Sequence, residues 1–328
     1  MSADGRLRVA VLSFWHVHAG DYAKTAAQHP QTELVAVWDD DEARGREAAA
    51  EFGVDFESDL DALLARDDID AVTITTSTKD HRDVMLKAAG AGKHIFTEKL
   101  LAPTVEEAEE IIRACDEHGV KLIVSLPRLY HGYTQAVKDV LADGALGTIT
   151  YSRVRLSHDG AVANWLPERF YDPELTFGLA IADLGCHPVY LTQLFLGARP
   201  ATISSTYTHV TGRDVEDNAV VTVTYDDGTI GVIESGVVSP DPFLIEIGGT
   251  NGWLSYSERD RHVALALKGG DTETIPVPED LPTAFDQWVE HIRDDTRADD
   301  NLSRAVELTR LVVAANHAAR TGTKEDYR

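Results

Sequence analysis

Within the first 125 residues, short apolar runs alternate with amphipathic stretches, and this alternation constrains the fold more than any other feature of the chain. Residues 8–12, 33–38, 71–75, 94–97 and 122–125 read as strands. Between them, 19–27, 41–52, 59–65, 80–89 and 105–118 carry helical spacing, with Gly53, Gly90 and Gly119 placed to stop three of the helices. Strands that are always separated by a helix are joined by crossovers, so they pair in parallel and bury both faces. The expectation is a doubly wound α/β sheet.

The pattern changes near Gly147. Residues 148–158, 202–210, 218–225, 229–237, 243–247, 252–256 and 262–268 read as strands, and Asp227-Gly228 marks a hairpin. One helix is expected over 182–196, and two more, 284–293 and 303–319, close the chain. Strands following one another without helices imply a large, mostly antiparallel open sheet with one face on helices and the other able to meet a second subunit. The expected organisation is a dinucleotide-binding (Rossmann) domain over residues 1–126 and an α+β domain over 127–328. The last two helices are free to pack back on the first domain.

Composition narrows the function classes. A net charge of −25 opposes nucleic-acid binding, because both surfaces repel. No apolar run is long enough to span a membrane, and the polar start lacks a secretory pattern. Two distant cysteines, Cys115 and Cys186, make no disulfide framework and fit a reducing cytoplasm. The dispersed acidity suggests a solvated surface suited to a salt-rich interior.

In a dinucleotide fold, a glycine-rich loop follows the first strand. Here that stretch is Ser13-Phe14-Trp15-His16-Val17-His18, with every glycine position substituted. The following helix N-terminus can still offer amides to an anion. Asp39 ends the second strand about where a ribose-binding acid is expected, which favours NAD over NADP; it also fits an N-cap in the acidic turn Asp39-Asp40-Asp41. His16 and His18 have the spacing of a metal pair. No acidic or cysteine ligand stands beside them in sequence, so imidazoles lining a cleft are expected and no metal.

Two motifs carry the chemistry: G-K-H-I-F-T-E-K-L-L-A-P-T from Gly92, and G-L-A-I-A-D-L-G-C-H-P-V-Y-L from Gly178. In this order and spacing the chain resembles the glucose–fructose oxidoreductase/inositol dehydrogenase (Gfo/Idh/MocA) family over nearly its whole length. The family's E-K-P falls on Glu98, Lys99 and Leu100, so the proline is missing. Its D-x-G-x-H falls on Asp183, Gly185 and His187. The resemblance implies that Lys99 contacts the substrate hydroxyl beside the nicotinamide, that His187 is the acid/base and that Asp183 supports or binds substrate. It places Thr76, Ser77, His81 and Glu98 at the cofactor, although Ser77 and Thr78 replace the family's Pro-Asn.

The residue chemistry agrees. An ammonium at the carboxyl end of a parallel strand can stabilise a developing alkoxide, and a neutral imidazole can take its proton. On a helix, Asp183 and His187 would share a face; alternatively, Asp183 caps the helix and His187 packs beneath the sheet. Arg128, Tyr130, His158 and Trp165 are candidate substrate-binding residues, with loop packing as the competing role. The leading expectation is NAD(P)-dependent oxidation or reduction of a secondary alcohol or ketone of a sugar or polyol by a homodimer or homotetramer. NAD-assisted elimination and a redox-inactive binding protein are the alternatives.

Overall fold

The computed structural model describes residues 5–327, and residues 1–4 of the polar start lie outside it. The chain divides into two units: the first runs through Ser125 and takes in Ala284–Val306, and the second comprises Leu126–Thr283 and the chain from Glu307 onward.

The first unit is built on six parallel strands: β1 (Leu7–Leu12), β2 (Thr32–Trp38), β3 (Asp55–Glu57), β4 (Ala71–Ile74), β5 (His94–Thr97) and β6 (Leu122–Val124). Their order is β3-β2-β1-β4-β5-β6, so the winding reverses between β1 and β4, where open α/β sheets bind ligands. β1 and β4 are buried almost throughout, as their near-continuous apolar sequences require. Five helices connect the strands: α1 (Ala19–Gln28), α2 (Glu42–Phe52), α3 (Leu60–Leu64), α4 (His81–Gly90) and α5 (Val105–Glu117). Asp41, rather than Asp39, caps α2, its carboxylate accepting from the amides of Ala43 and Arg44. β3 is too short to stand out as a strand in the sequence.

In the second unit, the strands are β7 (Ile149–Ser157), β8 (Thr202–Thr208), β9 (Asn218–Thr224), β10 (Ile230–Gly236), β11 (Leu244–Gly249), β12 (Gly252–Ser257), β13 (Val263–Leu267), β14 (Thr272–Ile275) and β15 (Glu325–Asp326). They form one sheet in the order β14-β13-β12-β11-β7-β10-β9-β8-β15, antiparallel except for the β7–β10 pair. The helices of this unit include α6 (Gly132–Ala142), α7 (Pro173–Thr176) and α8 (Cys186–Leu196). α8 packs on β7 and β10, beneath the buried row Val154, Leu156, Ile233 and Ser235.

The single helix expected over 182–196 is broken. A π-helical turn, Ala180–Leu184, precedes α8, and Gly185 stands between them. A Cβ on Gly185 would lie 2.6 Å from the Cα of Ile181, so the tight join admits only glycine without a shift. Glu216 anchors the turn from β9's approach: its Oε1 accepts from the Ile181 amide at 3.1 Å and its backbone oxygen from the Ala180 amide at 3.2 Å.

The closing helices are α9 (Ala284–Arg293) and α10 (Asp299–Thr321). α9 belongs to the first unit, where Phe285 and Trp288 meet Phe96 of β5 with ring centroids 5.4 and 5.8 Å apart. Among the described residues no single helix is long and apolar enough to cross a membrane.

Candidate active site

In the first unit, strand register gathers one group of the candidate residues. Leu12 pairs with both Trp38 and Ile74, and Ile74 pairs with Thr97. The residues that follow, Ser13, Asp39, Thr75 and Glu98, therefore emerge side by side at the carboxyl edge of the sheet. Ser13 adopts φ +73°, the left-handed conformation for which the loop would ordinarily use glycine.

The loop is largely bonded to itself and its strand neighbours. The Ser13 amide donates to Trp38 O and that of Phe14 to Asp39; Trp15 N–H donates to Ser13 Oγ, His16 N–H to Thr75 O, and His18 N–H to His16 Nδ1. Asp39 is buried. Its oxygens accept from the Arg44 guanidinium, whose Nε lies at 2.9 Å, and from the amides of Phe14 at 2.6 Å and Asp41 at 2.9 Å. Burial pushes the Asp39 carboxyl above its ordinary range, and Arg44 with the two amides pulls against that without fully offsetting it.

These residues fit a dinucleotide, with one change from the usual cradle. Asp39 is where a ribose-binding acid must be, and the Arg44 side chain over it is partly exposed and can yield to hydroxyls. Thr76, just beyond β4, keeps a buried hydroxyl without a hydrogen-bond partner, a donor left for a ligand. Because the loop amides are committed internally, a pyrophosphate would receive fewer of them than a glycine loop supplies. Ser77 donates to Asp80 at the start of the next helix instead of facing outward.

At the end of β5, Glu98 and Lys99 are both buried, with Lys99 Nζ 2.8 Å from Glu98 Oε1. The Lys99–Leu100 peptide is cis. Tyr22 of α1 donates its hydroxyl proton to Glu98 Oε2, and Ser125 Oγ lies 2.8 Å from the same hydroxyl. Burial alone would raise the Glu98 carboxyl; the Lys99 ammonium, with His18 and His16 acting in the same direction, outweighs it and holds the group well below the usual carboxylate range. Burial next to this carboxylate pushes the Tyr22 phenol well up, so it stays a donor. His81 fixes its Nδ1 proton on Leu100 O at 2.9 Å, with Leu101 O at 3.2 Å, and burial lowers its pKa.

The second unit holds Asp183 and His187. Asp183 lies in the π-turn and His187 near the start of α8, so the two do not sit one α-helical turn apart as the sequence spacing suggested. α8 begins without a side-chain cap, which removes the capping role for Asp183. His187 is buried, with Nδ1 2.8 Å from the Tyr190 hydroxyl. That hydroxyl accepts the Arg128 amide at 3.0 Å. His187 Nδ1 donates to that hydroxyl or accepts from it according to the ring's tautomer. Burial raises the Tyr190 phenol well above its ordinary value and keeps it protonated.

The remaining candidates divide. His158 packs against Trp165 with ring centroids 4.7 Å apart and planes tilted at 48°, and Trp165 is 51% exposed. Burial lowers the His158 pKa, with the nearby charge of Asp183 opposing, so these two belong to one neighbourhood. Arg128 is committed elsewhere: its guanidinium lies 4.1 Å over the Phe243 ring and donates to Tyr133 and Glu258. The backbone oxygen of Tyr130 accepts from the Leu281 amide. Tyr22, Ser125, Arg44 and Tyr190 were missed from sequence. Tyr22 follows His18 by four residues and Tyr190 follows His187 by three, spacings that share a helix face; Ser125 and Arg44 carry no such signal.

Known proteins share this architecture. Residues 16–126 match the model of an oxidoreductase family with an NAD-binding Rossmann fold, GFO/IDH/MocA, and residues 134–255 match that family's C-terminal domain. The chain is 29% identical over 232 residues to D-xylose 1-dehydrogenase (NADP(+)) 2 of Haloferax volcanii, covering 70% of this chain and 69% of the relative. It is 28% identical over 290 residues to scyllo-inositol 2-dehydrogenase (NAD(+)) of Bacillus subtilis, covering 85% and 82%. The crystal structure of an inositol dehydrogenase homolog complexed with NAD+ from Azotobacter vinelandii superposes with a TM-score of 0.82 at 22% identity, covering 98% of this chain and 97% of that one.

Proposed function

Because the chain belongs to the Gfo/Idh/MocA family of NAD(P)-dependent oxidoreductases, we propose that it moves hydride between NAD(P) and a secondary alcohol or ketone of a sugar or polyol. The observation that carries this reading is the buried Lys99–Glu98 pair at the carboxyl end of β5.

When bound, NAD(P) supplies the nicotinamide carbon that accepts or returns hydride. Thr76 and Asp39 would hold it, with Ser13, Phe14, Trp15 and His16 shaping the loop beside it; Glu98 and His81 keep the Lys99 segment in place. Asp39, followed by Asp40 and Asp41, repels a ribose 2′-phosphate, which favours NAD. The Lys99 ammonium donates to the substrate oxygen and stabilises the alkoxide as hydride leaves its carbon. His187 exchanges the hydroxyl proton at Nε2. In oxidation the neutral ring takes the hydroxyl proton on the Nε2 lone pair, which requires its own proton on Nδ1, turned toward the Tyr190 hydroxyl; the imidazolium so formed is the acid that returns the proton in reduction. Asp183, His158 and the exposed Trp165 ring suit a polyhydroxylated ligand.

Two buried free thiols fit a cytoplasmic protein. We assign self-association to the outer face of the second sheet, where Trp253, Tyr151 and Ile230 line up across paired strands at 46%, 40% and 40% exposure.

The test is a turnover screen of sugars and polyols with both cofactors, comparing wild type with Lys99→Ala. Loss of turnover by roughly a hundredfold or more is expected, with the fold and cofactor binding retained. Undiminished turnover in the variant defeats the assignment.

A further inference from the structure

His16 and His18 lack an acidic partner in sequence, but the fold supplies one from the end of β5. One donor atom from each of His16, His18 and Glu98 lies within 4.8 Å of the other two. His18 Nδ1 is 3.4 Å from Glu98 Oε1. Two ligands of a tetrahedral ion, with bonds of ~2.0–2.1 Å, stand ~3.3–3.4 Å apart, so this pair already has the spacing of ligands on one ion. The His16 and His18 rings are 4.6 Å apart at 60°, converging rather than stacking.

Two further observations point to a cation. Glu98 is buried, and its Oε1 lies 2.8 Å from Lys99 Nζ as well as 3.4 Å from His18 Nδ1. A buried carboxylate is held by positive charge, and an ion on the two imidazoles would supply there what Lys99 supplies now. His81 also has a buried Nε2 with no partner, while its Nδ1 proton is fixed on backbone carbonyls. That is the tautomer metal-binding histidines use.

We propose that His16, His18 and Glu98 form a binding site for a divalent transition-metal ion of the zinc class. Two imidazoles and one carboxylate suit zinc better than calcium or magnesium, which take oxygen ligands. Three protein ligands leave one tetrahedral position for water or a substrate oxygen. The ion and the Lys99 ammonium are alternatives at Glu98 Oε1, so binding moves Lys99 off that oxygen. It also replaces the 3.2 Å bond from the His18 amide to His16 Nδ1 wherever that nitrogen is the donor used.

The experiment needs no substrate, so it stands apart from the redox reading. Tag-free full-length protein is stripped with chelator and titrated with Co2+ while visible absorption is recorded. Tetrahedral d–d bands saturating at about one ion per chain, and bleached by Zn2+, are expected. His18→Ala and the closer-shaped His18→Asn should each weaken Co2+ binding roughly tenfold or more. The His18 side chain is 41% exposed, so both variants should keep the wild-type circular dichroism. His29→Ala should bind as wild type does. The proposal is overturned by absence of the bands in the wild type, or by equal titrations of wild type and both His18 variants.

Discussion

Ser13 holds φ +73° in a loop where glycine would be unstrained. Its hydroxyl repays part of that cost by accepting the Trp15 amide at 3.1 Å and bonding Asp40 at 3.0 Å. Ser13→Ala and Ser13→Gly both lose the hydroxyl, but only alanine keeps a Cβ in left-handed backbone. Urea denaturation should find the alanine variant less stable than the glycine variant by about 1 kcal/mol; equal stabilities would mean that the left-handed conformation is not held in solution. The same residues show what sequence can reveal. Lys99, Glu98 and Asp39 were readable because each sits at a strand end whose register fixes its neighbours. Tyr22 was not, because its partner Glu98 lies 76 residues away and only the packed α1 brings them together. The carboxylate beside His16 and His18 was hidden for the same reason.

At the scale of elements, the first sheet was legible because β1 and β4 are apolar runs and because Asp41, Asp59 and Thr104 cap the starts of α2, α3 and α5. α6 was passed over although Tyr133, Ala136, Val137 and Val140 make a buried stripe at helical spacing; a glycine start and no capping residue obscured its beginning. The break at Gly185 could not be read, since it depends on Glu216, 35 residues from the amide it holds. Glu216 gives the break a pH signature. Burial raises its carboxyl above the ordinary value against the amide bonds that lower it, so folding favours the protonated form. Its contribution is then greatest below the unfolded value and is lost as pH rises from there through the folded value. Glu216→Gln keeps an oxygen for the Ile181 amide and removes the titration. Denaturant unfolding between about pH 4 and 7 should show wild-type stability falling relative to the variant as pH rises; a constant difference would refute the burial argument.

For the whole molecule, 55 acidic against 30 basic residues leave a net charge of −25. Salt acts on this excess in two opposed ways. It weakens surface pairs such as Arg46–Glu42 and Arg304–Asp300, but exposed pairs of that kind contribute only about 0.3–0.5 kcal/mol each. It also shortens the reach of repulsion among the surplus carboxylates, from about 10 Å at 0.1 M to about 3 Å at 1 M. With so large an imbalance the second effect dominates. Raising KCl between those concentrations should therefore lift the thermal midpoint by a few degrees, on a scale where about 1 kcal/mol moves a domain of this size by ~2–4 °C. An unchanged or falling midpoint would show that the acidity is neutralised by its pairings. The proposed self-association draws on the same balance, because two copies each carrying −25 would approach through the face bearing Trp253, Tyr151 and Ile230. Light scattering across that KCl series should show the associated fraction rising with salt in the wild type. Trp253→Asp should remain monomeric throughout; a variant that associates as the wild type does would move the interface elsewhere on the molecule.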